Sequence, residues 1–149
     1  MLEPYDDSYF MKRALQEAET AFEKGEIPIG AVIMVNNQII ARAHNLTEVL
    51  NDVTAHAEMQ AITAAANNLG GKYLHDCTLY VTIEPCQMCA GALFWSQISN
   101  IVYGARDEKR GCISLKTQLH PKTNMRGGVL EKECSQLLKR FFVEKRNLN

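Results

Sequence analysis

The chain has 149 residues, 46% of them apolar and 22% charged, with a formal net charge of −1 at pH 7. That length and mixture suit one domain spanning residues 1–149 with a buried core, and they exclude a disordered or fibrous polypeptide. No apolar run reaches the roughly 18 residues of a membrane span, and the first seven residues lack the basic start and apolar stretch of a secretory leader, so a cytoplasmic protein without membrane contact is expected.

A first helix is predicted from a cap at Asp7 or Ser8 to about Lys24, with Phe10, Ala14, Ala18, Ala21 and Phe22 at helical spacing. Gly30–Val35 reads as a strand. Asn36-Asn37 is a two-residue turn signal, and Gln38–Ala43 returns as the partner of a hairpin. Thr54 is a good N-cap for a second helix to about Asn68, and Thr78–Ile83 is rich in strand formers. Pro85 is expected to open a third helix to about Trp95, followed by a short strand at Ile101–Gly104. Residues 105–127 read as loop with a helical turn near 114–119. A strand near 128–130 and a last helix over about 131–145 complete the chain. Strands alternating with helices imply a sheet covered on both faces.

Charge is unevenly spread. Residues 1–104 carry 5 basic against 12 acidic side chains, and residues 105–149 carry 11 against 5. Such a division either solvates helix surfaces or marks a polyanion-binding face. The five cysteines are an odd number, which argues against a disulfide framework in the expected compartment. Only Cys86 and Cys89 have ligand-like spacing. Cys77, Cys112 and Cys134 read as small buried residues or inert thiols.

The chemistry concentrates in two segments, Thr54-Ala55-His56-Ala57-Glu58 and Glu84-Pro85-Cys86-Gln87-Met88-Cys89. Each is expected to open a helix. A Cys-x-x-Cys pair in a first helical turn can aim both sulfurs at one ion, and zinc accepts thiolate and imidazole together. Backbone N–H groups at a helix start also favour thiolates. His56, Cys86 and Cys89 make three ligands, and His44, His75 and His120 have no motif spacing to supply a fourth. Three ligands with an open position for water are the catalytic arrangement, not the structural one. Glu58 lies two residues beyond His56, and at a helix start both can face one centre, with Glu58 moving protons.

These motifs match the signature His-x-Glu…Pro-Cys-x-x-Cys of the nucleobase deaminases. The chain resembles the cytidine deaminase-like superfamily, and most closely the bacterial tRNA adenosine deaminases. The likeness continues in Ile27-Pro28-Ile29-Gly30-Ala31-Val32, in Asn45, in Leu79–Cys86, in Met88-Cys89-Ala90-Gly91-Ala92 and in Tyr103-Gly104-Ala105-Arg106-Asp107. It extends to Phe141-Phe142 with Lys145-Arg146. The resemblance implies a three-layer α/β/α sandwich around a mixed sheet of about five strands. It implies one Zn2+ per subunit, and hydrolysis of adenosine to inosine at the wobble position of a tRNA anticodon, with the base flipped into the zinc pocket. By position, Glu58 is the proton shuttle, Asn45 and the backbone at Ala57 contact the base, and Ile29 walls the pocket. Asp107 lies near the sugar or flanking nucleotides, and Arg106, Lys145 and Arg146 face RNA phosphates. A homodimer acting on the tRNA anticodon stem-loop is implied, with no DNA partner.

The chain departs from the family in Lys109-Arg110-Gly111-Cys112-Ile113-Ser114, where many members carry Lys-Thr-Gly-Ala-Ala-Gly-Ser. It departs again in Asn124-Met125-Arg126, where many carry Asn-His-Arg. Both segments are expected to face RNA. Phe94-Trp95 replaces a smaller pair and reads as helix-to-sheet or dimer packing. Two rival functions stand beside the first. One is deamination of guanine or another free nucleobase or nucleoside. The other is an inactive zinc-stabilised RNA-binding partner, against which an intact Glu58 argues.

Overall fold

A computed structural model describes residues 5–148. The elements run α1 (Asp7–Glu23), β1 (Gly30–Val35), β2 (Gln38–His44), α2 (Ala57–Leu69), β3 (Thr78–Ile83), α3 (Gln87–Ser96), β4 (Asn100–Ala105), β5 (Asn124–Arg126) and α4 (Glu131–Asn147). The strands form one sheet in the order β2-β1-β3-β4-β5. β1 is antiparallel to both β2 and β3. β3, β4 and β5 run parallel, because the connection through α3 carries the chain back to the edge it started from. The sheet is therefore mixed and five-stranded, as expected.

Alternation along the strands sends side chains to two cores. Ile33, Leu79, Val81 and Ile101 meet Ala57, Ala61 and Ala65 of α2 and Leu93 of α3. Val32, Tyr80 and Val102 meet Phe10, Met11 and Ala14 of α1 and Cys134 of α4. The alanine stripe of α2 thus has a use: small side chains bring a helix close to a sheet. Gly30 does the same on the other face, where a Cβ would collide with the backbone of Ala14 and Ala18. The β1–β2 turn is tight because Asn36 and Asn37 both take left-handed conformations, φ 51° and 60°, which asparagine tolerates better than most residues.

Element boundaries shift where side chains have other partners. Asp6, not Asp7 or Ser8, caps α1, its Oδ1 accepting from Tyr9 N at 2.9 Å. Asp7 is instead engaged by Arg126 and Tyr80. Thr54 does not cap α2. Its hydroxyl donates to Asp52 at 2.7 Å, and the helix begins after His56. Pro85 precedes α3, whose N-cap is Cys86. The strand expected near 128–130 lies instead at Asn124–Arg126, and Leu130 sits in a left-handed conformation at the start of α4. All five cysteines are free, and Cys77, Cys112 and Cys134 are buried.

Candidate active site

The N-terminal ends of α2 and α3 meet beyond the carboxyl end of β3. His56 and Cys86 are the N-cap residues of the two helices, both extended and neither capping with its side chain. Their side chains are thereby free to point at a shared centre. Cys89 follows in the first turn of α3. Three hydrogen bonds fix the start of α2: the Gln60 amide donates to the carbonyls of His44 at 2.8 Å, Ala55 at 3.1 Å and His56 at 3.5 Å.

His56 Nδ1 lies 3.6 Å from Cys86 Sγ and 3.5 Å from Cys89 Sγ. A tetrahedral ion with Zn–S near 2.3 Å and Zn–N near 2.0–2.1 Å has an S···N edge of about 3.5–3.6 Å, so the spacing fits zinc. Among the described residues, these three are the only group of three or more His, Cys, Asp or Glu with donor atoms that close together. Glu58 stands outside the ligand set. His44, a spare histidine in the sequence, is engaged elsewhere: its Nδ1 pairs with Glu17 at 2.9 Å and its Nε2 with Lys24 Nζ at 3.0 Å.

The electrostatics fit a cation. The Cys86 thiol is lowered to about 4, first because Cys89 donates to its sulfur and then because His56 does, against the opposing effect of burial. Cys89 is pushed up, first by Cys86 and then by burial. His56 is raised, chiefly by its bond to Cys86. The pair takes one negative charge readily and resists a second, which a dication neutralises. Burial raises Glu58 to about 7, and Cys86 adds to the rise, while its own backbone N–H and His56 oppose it. A carboxyl held near neutrality can both take and return a proton.

A cavity of about 290 Å³ opens over this centre, at the small end of the usual range for small-molecule sites, about 300–1,000 Å³. It brings together seven of the residues singled out in the sequence: Ile29, Asn45, His56, Ala57, Glu58, Cys86 and Asp107. Asn45 is 5% exposed and lines the cavity, and its side chain makes no hydrogen bond to another described residue. Ile27, Thr47, Ile83, Glu84, Arg110, Leu138 and Phe142 complete the lining. Several lie in the segments quoted from the sequence, but none is assigned a role there. Phe142 carries a weak signal, since an aromatic beside the core-facing Phe141 on a helix cannot share its direction.

The residues expected to meet RNA divide. Lys145 and Arg146 are exposed in the last turn of α4 and do not line the cavity. Arg106 is outside the lining and partly committed, donating to Glu84 at 3.2 Å and to Ser114 at 3.2 Å. Asn124-Met125-Arg126 forms the edge strand β5, and Arg126 is half exposed while engaged with Asp7. Its guanidinium makes two 2.8 Å bonds to Asp7, and β5 joins the sheet edge. Trp95 is 76% exposed, so it does not pack helix to sheet; Phe94 packs edge-on against it and against His120.

The family defined by the cytidine and deoxycytidylate deaminase zinc-binding region matches residues 4–105. The tRNA-specific adenosine deaminase of Bacillus subtilis is 47% identical over 94% of this chain and 91% of its own length. A solved structure from a study of A-to-I editing by tRNA:A34 deaminases at the wobble position of transfer RNA superposes with a TM-score of 0.82. It is 41% identical and covers 87% of this chain and 99% of its own. A guanine deaminase structure from Bacillus subtilis superposes with a TM-score of 0.65 at 42% identity, over 68% of this chain and 65% of its own.

Proposed function

Because the chain belongs to the cytidine and deoxycytidylate deaminase family, alongside tRNA-specific adenosine deaminases, we propose that it hydrolyses adenosine to inosine at the wobble position of a tRNA anticodon. The observation that carries the chemistry is the set of three ligands at tetrahedral spacing, two of which, His56 and Cys86, line one cavity with a buried carboxyl, Glu58. The similarity to a tRNA deaminase over nearly the whole chain carries the substrate.

His56, Cys86 and Cys89 hold Zn2+, which when bound lowers the pKa of water toward neutrality. Glu58 is placed to accept a proton from the attacking water and to return protons to the ring nitrogen and the departing amine. Burial keeps it close enough to neutrality to do both. The side-chain amide of Asn45, without a hydrogen-bond partner among the described residues, and the backbone at Ala57 orient the base, and Ile29 and Leu138 exclude water from around it. The reacting centre lies within a cavity of about 290 Å³, so the base must leave its stack to reach it. Asp107 lies at the cavity, near the sugar or flanking nucleotides. Arg106, Lys145 and Arg146 attract the phosphates of the anticodon stem-loop.

We read residues 1–149 as one domain. α4, beyond the family match, packs Cys134 against Gly104 of the same sheet. The protein acts as a homodimer, a reading supported by large apolar side chains left open to solvent, Val53 at 84% and Trp95 at 76%. No helix among the described residues is long and apolar enough to cross a membrane, and we assign the enzyme to the cytoplasm with its tRNA.

The test is inosine formation on an RNA hairpin with an A-C-G anticodon, run beside free guanine, cytosine and adenosine. Inosine at the first anticodon position with no ammonia from the free compounds is expected. Ammonia from guanine with an untouched hairpin would keep the zinc chemistry and replace the substrate.

A further inference from the structure

Two glutamates lie in the interior without touching the metal ligands. Glu26 is 0% exposed and Glu84 3%. Each spends its carboxylate on the backbone of a loop. Glu26, just after α1, accepts from Glu48 N at 3.0 Å through Oε1 and from Val49 N at 2.7 Å through Oε2. Glu84, just after β3, accepts from Arg106 Nε at 3.2 Å and Asp107 N at 3.1 Å through Oε1, and from Ile113 N at 2.8 Å through Oε2.

Both loops form walls of the cavity. One supplies Asn45 and Thr47, the other Asp107 and Arg110. The second loop is fitted closely to its anchor. A Cβ on Gly111 would collide with the Glu84 carboxylate, Gly111 pairs with Cys86, and Cys112 N donates to Pro85 O at 2.9 Å. Glu84 therefore ties this wall to the strand end that also leads to the ligand Cys86.

A buried carboxylate is a poor source of stability compared with an apolar side chain of equal size. Its use is directional: two oxygens fix two separated backbone N–H groups at once. A loop without regular structure has no ladder to place it, and here the carboxylate does so. We propose that Glu26 and Glu84 are positioning residues for substrate recognition, each setting one wall of the cavity through the loop backbone. This rests on the deaminase reading above.

The experiment uses zinc-loaded Glu26→Gln and Glu84→Gln, each of which turns one acceptor oxygen into a donor facing an N–H. Three quantities are read: zinc content, amide hydrogen exchange without RNA, and kcat and KM on the A-C-G hairpin. The expected result is unchanged zinc, with faster exchange confined to residues 46–50 in the first variant and 107–113 in the second. KM rises, and kcat/KM falls by up to roughly 100-fold, the size of effect a displacement of about 1 Å produces. Exchange unchanged at the loop with kcat/KM within about twofold of the parent overturns the proposal. So does faster exchange across the whole sheet with a lowered Tm and unaltered kinetics per zinc, which marks a merely structural role. Should Glu84→Gln not fold, Ile113→Pro removes the donor to Oε2 from the exposed side of the loop and carries the same expectations. A parent protein inactive on the hairpin would remove the substrate reading while leaving the exchange result to stand or fall alone.

Discussion

The floor of the cavity and its rim are built differently. The floor is built from His56, Glu58 and Cys86 at the cavity and Cys89 buried beneath it, delivered by the first turns of two helices packed on the sheet. Their placement follows from local geometry: a cap, a turn and a strand end. The rim consists of the segments 45–50 and 107–116 and the far half of α4. It is held by bonds between residues distant in sequence, such as Glu26 to Val49 and Glu84 to Ile113. Chemistry is thus encoded in short motifs, and substrate choice in interactions that no short motif records.

The floor gives the largest expected effect. Glu58→Ala should reduce single-turnover inosine formation by about 10²- to 10⁴-fold, the range of general acid–base catalysis. Zinc content and Tm should stay near those of the parent, because Glu58 is not among the ligands. Stoichiometric loss of zinc from this variant would mean that the carboxylate binds the metal, and the proposed division of labour in the floor would collapse.

A rim residue should behave otherwise. Arg110 lines the cavity and also borders a second hollow beside His56, Cys86 and Lys109. Arg110→Ala should raise KM for the hairpin up to about tenfold and leave kcat nearly unchanged, the pattern of lost uniform binding. A fall in kcat with constant KM would move Arg110 from the rim to the chemistry. Farther out, replacing Lys145 and Arg146 by glutamine should weaken RNA binding only a few-fold. It should flatten the salt dependence by about 0.7–0.9 in slope for each phosphate left without its cation. A parallel salt curve would exclude both residues from the RNA footprint.

The same contrast explains what can be read from the sequence. The hairpin at Asn36-Asn37, the buried strand Thr78–Ile83 and all four floor residues are legible, because their signals are local in the chain. The cap of α1 lies one residue before its expected place. Asp6 and Asp7 offer the same carboxylate, and the choice depends on Arg126, which is 119 positions away from Asp7. Thr54 is a plausible cap whose hydroxyl finds Asp52 first. Arg126 resembles an RNA-facing residue because it is basic and lies in a loop-like stretch. Only the pairing of β5 with β4 reveals that it is committed to α1. Glu26 carries no sequence signal, and Glu84 stands in the metal-site segment with no sign of its anchoring role, since nothing in a chain distinguishes a solvated glutamate from one that holds a remote backbone.

The Asp7–Arg126–Tyr80 cluster permits the smallest and most specific test of that contrast, since it joins α1, β5 and β3 without touching the cavity. The Arg126 guanidinium bonds Asp7 twice, and the Tyr80 hydroxyl donates to it at 2.7 Å. Asp7 is held below its ordinary value, chiefly by Arg126, with burial opposing. A carboxyl lowered in the folded state contributes stability that is fully present above its unfolded pKa, near 3.8–3.9. That contribution disappears as pH falls through the lower folded value. With Arg126 half exposed, solvent screening limits the ionic part to under about 1 kcal/mol. Asp7→Asn should therefore lower Tm by a few degrees between pH 5 and 8, with the difference narrowing below about pH 4. Activity on the hairpin should be unchanged. A Tm difference that stayed constant into acid would assign the contribution to packing or helix capping. A change in KM would place the Asp7–Arg126 pair within the RNA footprint.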